Sequence, residues 1–288
     1  MNDLVRDHEW RSRDGLTLFA RVYGAPTDAL PVICIPGLTR NSRDFEEVAP
    51  YIAEQGRQVF AVDLRGRGRS DRSQNPKTYA PVQYAADMVA LLASIEAPRA
   101  LFVGTSLGGL VTMTLAMRQP GLIGGAVLND VGPRVGKAGL ARIRGYAGKP
   151  FDVTTWEDAA AYVKRTNEAA FPDLEDSDWE HFARRLFKEE NGKVVLDYDP
   201  GIARSASPFA AFLSSMMLWP AFRRLARCGP LTLVYGETSD ILERETVQRM
   251  QRQAPAMTVV EVPGVGHAPQ LDEPEAQRAI KAFLQTAP

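Results

Sequence analysis

The segment of the sequence best suited to chemistry is Gly104-Thr105-Ser106-Leu107-Gly108, where a serine lies between two glycines. The apolar run Leu101-Phe102-Val103 before it is typical of a buried strand, and Leu107–Arg118 after it has helical periodicity. A serine at such a sharp strand-to-helix turn presents its hydroxyl, and the glycines remove side chains that would collide there. No Lys-Ser or Lys-Thr pair follows, which disfavours the competing interpretation as a phosphate-binding loop. We therefore predict that Ser106 is a nucleophile.

Two backbone N–H groups are predicted to stabilise an oxyanion beside Ser106. Leu107 follows the serine directly, at the positive N-terminus of the predicted helix. A second donor should come from the loop after the strand Val32-Ile33-Cys34-Ile35. In Pro36-Gly37-Leu38 the amide of Leu38 is the candidate, because Gly37 leaves it unhindered and its own side chain can vary.

A serine nucleophile needs a base, and the chain has only three histidines. His267 lies in Pro263-Gly264-Val265-Gly266-His267, a loop between the last predicted strand and the last helix. Loops at the ends of parallel strands form the crevice where such folds place their chemistry. A neutral imidazole can take the serine proton and return it to a leaving group. We predict His267 as the base, and an ordinary structural or exposed role for His8 and His181.

The third group, which holds the imidazole in the right tautomer, is predicted to be Asp240. It follows the strand Leu231–Tyr235 in Gly236-Glu237-Thr238-Ser239-Asp240, and it lies between serine and histidine in chain order. Asp130, at the end of an earlier strand, is the alternative acid. Glu237 is a third candidate.

Four side chains are candidates for binding substrate. Arg40 follows the oxyanion loop, although a solvated arginine is an equally good interpretation. Met216, Met217 and Trp219 could wall an apolar pocket, and ordinary packing competes with that reading. The basic segment Asp63–Asp71 is interpreted as a turn pinned by arginine–carboxylate bonds below the site.

Short apolar runs alternate with amphipathic helical patterns, which predicts an α/β fold with a mostly parallel sheet between helices. The first two runs flank Asp14-Gly15 and predict an antiparallel hairpin. Residues 133–225 show helical segments without buried strands between them. We therefore expect an α/β core of residues 1–132 and 226–288, and a helical cap of residues 133–225 inserted after the sixth strand.

Composition removes several classes of partner. The 34 basic and 35 acidic residues nearly balance, so nothing favours nucleic acid or an anionic membrane surface. No stretch approaches the roughly 18 apolar residues of a membrane span. The two cysteines cannot build a disulfide framework or a Cys-rich zinc site, so we expect no metal and a cytoplasmic location. The sequence carries no signal for the oligomeric state.

These motifs together resemble the α/β-hydrolase superfamily, specifically its capped serine esterase, lactonase and carbon–carbon hydrolase branch. The resemblance spans nearly the whole core, from Pro36-Gly37 through Gly104–Gly108 to Gly264–His267. It implies the α/β-hydrolase fold, with eight mostly parallel strands, one antiparallel strand, a helical lid over the site and no cofactor. The family's usual His-Gly at the oxyanion loop is Pro36-Gly37 here. Dehalogenases and epoxide hydrolases of this fold use an aspartate at the elbow, which Ser106 argues against.

The leading functional prediction is hydrolysis of a small carboxylic ester or lactone through an acyl-enzyme, with an ester-like small molecule as the substrate. Carbon–carbon cleavage of a diketone and cofactor-free perhydrolysis would use the same three side chains, and both remain alternatives. A ligand receptor built on the hydrolase fold is an alternative of another class.

Overall fold

The apolar runs of the sequence form a central sheet in the strand order β1-β2-β4-β3-β5-β6-β9-β10. The computed structural model describes residues 5–148, 153–204 and 208–288, with the side chains of residues 204–216 outside that description. The strands are β1 (Arg6–Arg11), β2 (Thr17–Tyr23), β3 (Val32–Ile35), β4 (Val59–Asp63), β5 (Ala100–Thr105), β6 (Ile123–Asn129), β9 (Leu231–Gly236) and β10 (Thr258–Val262). Strand β2 is antiparallel to both neighbours and the other pairs are parallel. This confirms the predicted eight-stranded, mostly parallel sheet.

Helices cover both faces of the sheet. They are α1 (Val48–Glu54), α2 (Pro81–Ser94), α3 (Leu107–Arg118), α4 (Lys137–Tyr146), α5 (Trp156–Asn167), α6 (Asp176–Leu186), α7 (Pro208–Leu225), α8 (Arg244–Gln253) and α9 (Pro274–Thr286). Helices α1 and α9 pack on one face, whereas α2, α3, α8 and the end of α7 pack on the other. Within the described residues, no helix combines the length and apolar character that crossing a membrane requires.

Strand β3 shows why these runs are apolar at every position. Ile33 and Ile35 join the core on one face of the sheet, while Val32 and Cys34 join the core on the other. A parallel strand covered by helices on both faces has no solvated side. The parallel strands therefore end together at one edge of the sheet, where β3, β5, β6, β9 and β10 have their carboxyl ends. The loops that leave this edge are not buried between sheet and helices, so their side chains can form a site.

The segment after β6 forms a cap with an apolar core of its own, built from α5, α6 and a hairpin. The expectation of helical segments without buried strands between them left out one element, because β7 (Phe187–Glu190) and β8 (Lys193–Leu196) pair as an antiparallel hairpin whose residues are mostly not buried. The turn between them is Asn191-Gly192, with φ of 53° and 73°, a pair strongly favoured in tight hairpins. Each strand has only four residues, and three of the four in β7 are charged, so neither gives the long apolar run of a buried strand.

Helix α7 ends against the core. Ala221, Phe222 and Leu225 from its C-terminal half are buried in the same cluster as Val111 and Leu115 of α3. The last turns of the expected cap segment thus cover the sheet, and the domain boundary at residues 225 and 226 remains a prediction.

Gly108 is a tight point of this packing, because a β carbon placed on it would overlap the carbonyl oxygen of Ile35 in β3. We predict that Gly108→Ala lowers the free energy of unfolding by about 3 kcal/mol, because neither the backbone of α3 nor that of β3 can shift without disturbing the packing around it. Gly121→Ala is the matched control, because nothing lies within 4 Å of its β-carbon position. It should change stability by less than about 0.5 kcal/mol. Urea denaturation measures both, and equal stabilities for the two variants would contradict the packing described.

Candidate active site

Ser106 occupies a strained turn between β5 and α3, with φ of 52° and ψ of −111°. Its backbone N–H donates to the carbonyl oxygen of Asn129 at 2.9 Å, which ties the turn to the end of β6. A β carbon on Gly104 would lie 2.6 Å from backbone atoms of Gly108 and Gly109. The glycines of the motif therefore allow β5 and α3 to approach closely, and Ser106 lies at the tip of the turn that joins them.

The structure brings His267 to this serine. Its Nε2 lies 3.0 Å from Ser106 Oγ, and its Nδ1 lies 2.6 Å from Oδ2 of Asp130. An ionised carboxylate can only accept, so Nδ1 carries the proton and the Nε2 lone pair faces the hydroxyl. This is the tautomer that can take a proton from serine.

Asp130 therefore occupies the place expected for Asp240. It is the first residue after β6, has φ of 52° and is fully buried. Besides His267, its carboxylate accepts from the backbone N–H of Gly236 at 3.1 Å and from the hydroxyl of Ser239 at 2.6 Å. The end of β9 and the turn after it, where Asp240 was the predicted acid, thus supply two hydrogen-bond donors to Asp130.

Asp240 is turned toward the cap. Its two carboxylate oxygens accept from Nε and Nη2 of Arg142, on α4, at 2.7 and 2.8 Å. This bidentate pair lowers the pKa of Asp240, chiefly through the hydrogen bond. The expectation that Asp240 holds the histidine is corrected for a geometric reason: in the turn after β9, Ser239 points to Asp130 and the next residue points away. Glu237 binds the backbone of Gly264 and does not contact His267.

Asn129, fully buried at the end of β6, links the segments that carry the three side chains. Its Nδ2 donates to Thr105 Oγ1 at 3.1 Å and to the carbonyl oxygen of Pro269 at 2.8 Å. One amide group thus joins the turn before Ser106 to the loop after His267. We did not anticipate this residue, although its position between a buried strand and a buried aspartate was a usable signal.

The amide groups of Leu38 and Leu107 have no hydrogen-bond acceptor within the part of the chain that the structure describes. Both belong to segments next to the serine: Leu107 follows it, and a β carbon on Gly37 would lie 3.8 Å from Ser106 Cβ. Backbone donors left without partners beside a nucleophile suit a developing oxyanion.

Arg67 fixes the loop that carries Leu38. Its side chain is almost fully buried, and its Nε and Nη2 donate to the carbonyl oxygen of Leu38 at 3.0 and 2.8 Å. Arg65, two residues earlier, is held by the carboxylates of Asp14 and Asp87. The basic segment is thus the pinned turn that its sequence indicated, and Arg67 from this segment binds the loop beside Ser106 through the carbonyl oxygen of Leu38.

A cavity between core and cap opens onto Ser106 and His267. The cap contributes several polar and aromatic side chains to its wall, among them Arg142, Tyr146, Phe182, Arg185 and Tyr198. Burial raises the pKa of Tyr146 and of Tyr198, so both remain neutral phenols in the wall. No cluster of three His, Cys, Asp or Glu side chains suited to a metal occurs among the residues described.

Of the four predicted substrate-binding residues, Arg40 lines the cavity, whereas Trp219 and Met217 do not. Arg40 lines the cavity, where it forms an ion pair with Asp44 at 2.6 Å and stacks on Phe182. Trp219 is not part of the described wall, because it packs on Phe222 and under the guanidinium of Arg249 from α8. Met217 is 52% exposed and also lies outside the wall. The side chain of Met216 is outside the described residues.

The geometry agrees with what the chain is similar to. The model of the alpha/beta hydrolase family matches residues 32–280. The 3-hydroxybutyrate-oligomer hydrolase of Cupriavidus necator is 36% identical over 265 residues, which cover 90% of this chain and 89% of that protein. An esterase of Mycobacterium tuberculosis is 28% identical over 88% of this chain and 83% of its own length.

Among solved structures, an alpha/beta hydrolase from Novosphingobium aromaticivorans superposes with a TM-score of 0.89 at 42% identity and covers 98% of each chain. The order of the strands, the serine turn between β5 and α3 and these matches lead to one conclusion: the chain belongs to the alpha/beta hydrolase family.

Proposed function

We propose that this protein is a serine hydrolase that cleaves a small carboxylic ester or lactone through an acyl-enzyme on Ser106. The observation that carries the proposal is one continuous chain of contacts. Ser106 Oγ lies 3.0 Å from His267 Nε2, and His267 Nδ1 lies 2.6 Å from Asp130 Oδ2. The unpartnered amides of Leu38 and Leu107 beside the serine support it.

In the first half of the reaction, Ser106 Oγ attacks the carbonyl carbon of the ester while His267 Nε2 takes the hydroxyl proton. The carbonyl oxygen becomes an oxyanion, which accepts hydrogen bonds from the amides of Leu38 and Leu107. As the carbon–oxygen bond to the alcohol breaks, His267 returns the proton to the leaving alkoxide. Ser106 is left as an ester of the acid.

In the second half, water takes the place of the alcohol. His267 removes its proton, the hydroxide adds to the acyl carbon, and the Ser106 oxygen leaves with the proton from the imidazolium. Asp130 keeps the imidazole oriented and stabilises its positive charge in both halves without taking the proton itself. Its buried position, away from competing water, favours that electrostatic role.

For the substrate, we propose a short oligoester of a hydroxy acid. The support comes from the relative at 36% identity, which is named for hydrolysis of 3-hydroxybutyrate oligomers and aligns along nearly its whole length. The cavity suits such a chain, since its wall mixes aromatic and aliphatic side chains with hydrogen-bonding groups. Repeating esters need both kinds of contact.

A fluorophosphonate should label the protein with one equivalent, on Ser106, because the neighbouring imidazole makes this hydroxyl nucleophilic. Mass spectrometry of the intact protein and of its peptides measures the label. Ser106→Ala should take none and should lose turnover of p-nitrophenyl acetate and of the 3-hydroxybutyrate dimer. Full labelling of the alanine variant, or none of the parent protein, would contradict the proposal.

Asp130→Asn should lower kcat on p-nitrophenyl acetate by on the order of 10⁴-fold, because an amide can hold the imidazole in the wrong tautomer. Asp240→Asn is the matched comparison. It removes the same charge from the position indicated by the sequence, and it should lower kcat by less than about 10-fold, since no bond to His267 is lost. If steady-state kinetics show a larger loss of kcat for Asp240→Asn than for Asp130→Asn, Asp240 and not Asp130 is the acid.

Arg67→Met should lower kcat by roughly 10- to 100-fold with little change in KM, because the loop carrying the Leu38 amide loses its clamp. Arg69→Met is the control, since Arg69 is about half exposed and pairs with Asp7 on the surface. It should stay within about twofold of the parent. Active-site titration corrects both rates for the folded fraction, and an unchanged kcat for Arg67→Met would remove Arg67 from the mechanism.

A further inference from the structure

Arg185 is a buried cation in the wall of the active-site cavity. It lies on α6 of the cap, is 5% exposed and shares the cavity with Ser106 and His267. Its Nη1 donates to Oε1 of Gln270 at 2.8 Å. Its Nε is buried without any acceptor in the described part of the protein, and no acceptor contacts Nη2 there either. One whole edge of the guanidinium is therefore unused.

The other two arginines of the wall are compensated. Arg40 is paired with Asp44 at 2.6 Å, and Arg142 is paired with Asp240 at 2.7 Å. No carboxylate oxygen of the described residues lies within the 4.0 Å ion-pair distance of Arg185, and Asp272 in the neighbouring loop interacts with its charge only from beyond that distance. The described wall of the cavity thus carries one guanidinium, that of Arg185, without an ion-pair partner in direct contact.

A guanidinium cannot lose its charge by deprotonation, and a buried charge without a partner is costly. A ligand that brings a negative charge into the cavity would remove that cost. The Nε–Nη2 edge of arginine matches a carboxylate in particular, because two parallel N–H groups face its two oxygens. Protein atoms cover Nε in this structure, so a carboxylate reaches it only when neighbouring side chains shift slightly, and it then satisfies the orphaned Nε as well.

We propose that Arg185 binds a free carboxylate of the substrate, so that the enzyme prefers anionic esters to neutral ones. This inference rests on the proposed ester hydrolysis. It narrows the substrate class to esters that carry, besides the ester group, a second carboxyl group that is free and ionised. A linear oligoester of a hydroxy acid has one such group at its end. Arg185 is then a specificity-determining residue that contacts substrate away from the scissile bond.

The test compares 3-acetoxybutyrate with 3-acetoxybutyramide, which has the same ester and a neutral amide in place of the carboxylate. The parent enzyme should favour the acid by roughly 10- to 100-fold in kcat/KM, the range expected of hydrogen bonds to a charged group. Arg185→Gln should abolish this preference, mainly by raising KM for the acid. Arg184→Gln removes the same charge from the exposed neighbour on α6 and should keep the preference.

Turnover of p-nitrophenyl acetate separates failure of this inference from failure of the proposed function. If that neutral ester is hydrolysed but the parent enzyme treats acid and amide alike, the carboxylate site is refuted and the hydrolase remains. If Arg185→Gln lowers the rates for acid, amide and p-nitrophenyl acetate equally, Arg185 serves the structure and the inference fails. If no ester is turned over by the parent enzyme, the proposed function itself fails.

A measurement on the parent enzyme keeps the inference testable if Arg185→Gln does not fold. 3-Hydroxybutyrate should inhibit p-nitrophenyl acetate hydrolysis competitively, with an inhibition constant roughly 10- to 100-fold below that of 3-hydroxybutyramide. Equal inhibition by the two compounds, or none by the acid, would overturn the proposal.

Discussion

The carboxylate of Asp130 has no contact with solvent and must obtain its hydrogen bonds from the protein. Gly236 at the end of β9, Ser239 in the turn after it and His267 in the loop after β10 supply them. The hydroxyl of Ser239 also accepts from two backbone N–H groups, so its own proton is directed to the carboxylate. The hydrogen bonds to Asp130 hold the segments after β9 and β10 against the end of β6. This places the imidazole of His267 beside Ser106.

Much of this arrangement could be predicted from local pattern. The serine turn depends on a strand, a helix and two glycines that adjoin in sequence, and the histidine lies in a loop after the last strand. The acid could not be chosen in the same way, because Asp130 and Asp240 both follow core strands. Only the path of the turn after Gly236 decides that Ser239 points inward and Asp240 points toward Arg142.

The cap was harder to predict, for a different reason. Its hairpin strands have only four residues each, and the cap side chains in the wall of the cavity come from separate elements. Arg142 and Arg185 look like ordinary surface residues in an amphipathic helix, since periodicity shows which face is apolar but not which cation meets a carboxylate. Trp219 is large and apolar like a pocket residue, yet it packs on Phe222 and Arg249 and lies outside the described cavity wall.

The loop that carries His267 is also bonded to the cap, because the N–H of Gly266 donates to the carbonyl oxygen of Ala170 at 2.7 Å. A β carbon on Gly266 would lie 2.7 Å from Ala170 Cα, so the two backbones are in direct contact. The cap and the loop that carries His267 are therefore held together by this hydrogen bond and this packing contact. Any movement of the cap away from the core would break a hydrogen bond one residue from His267, so the position of this imidazole is tied to the position of the cap.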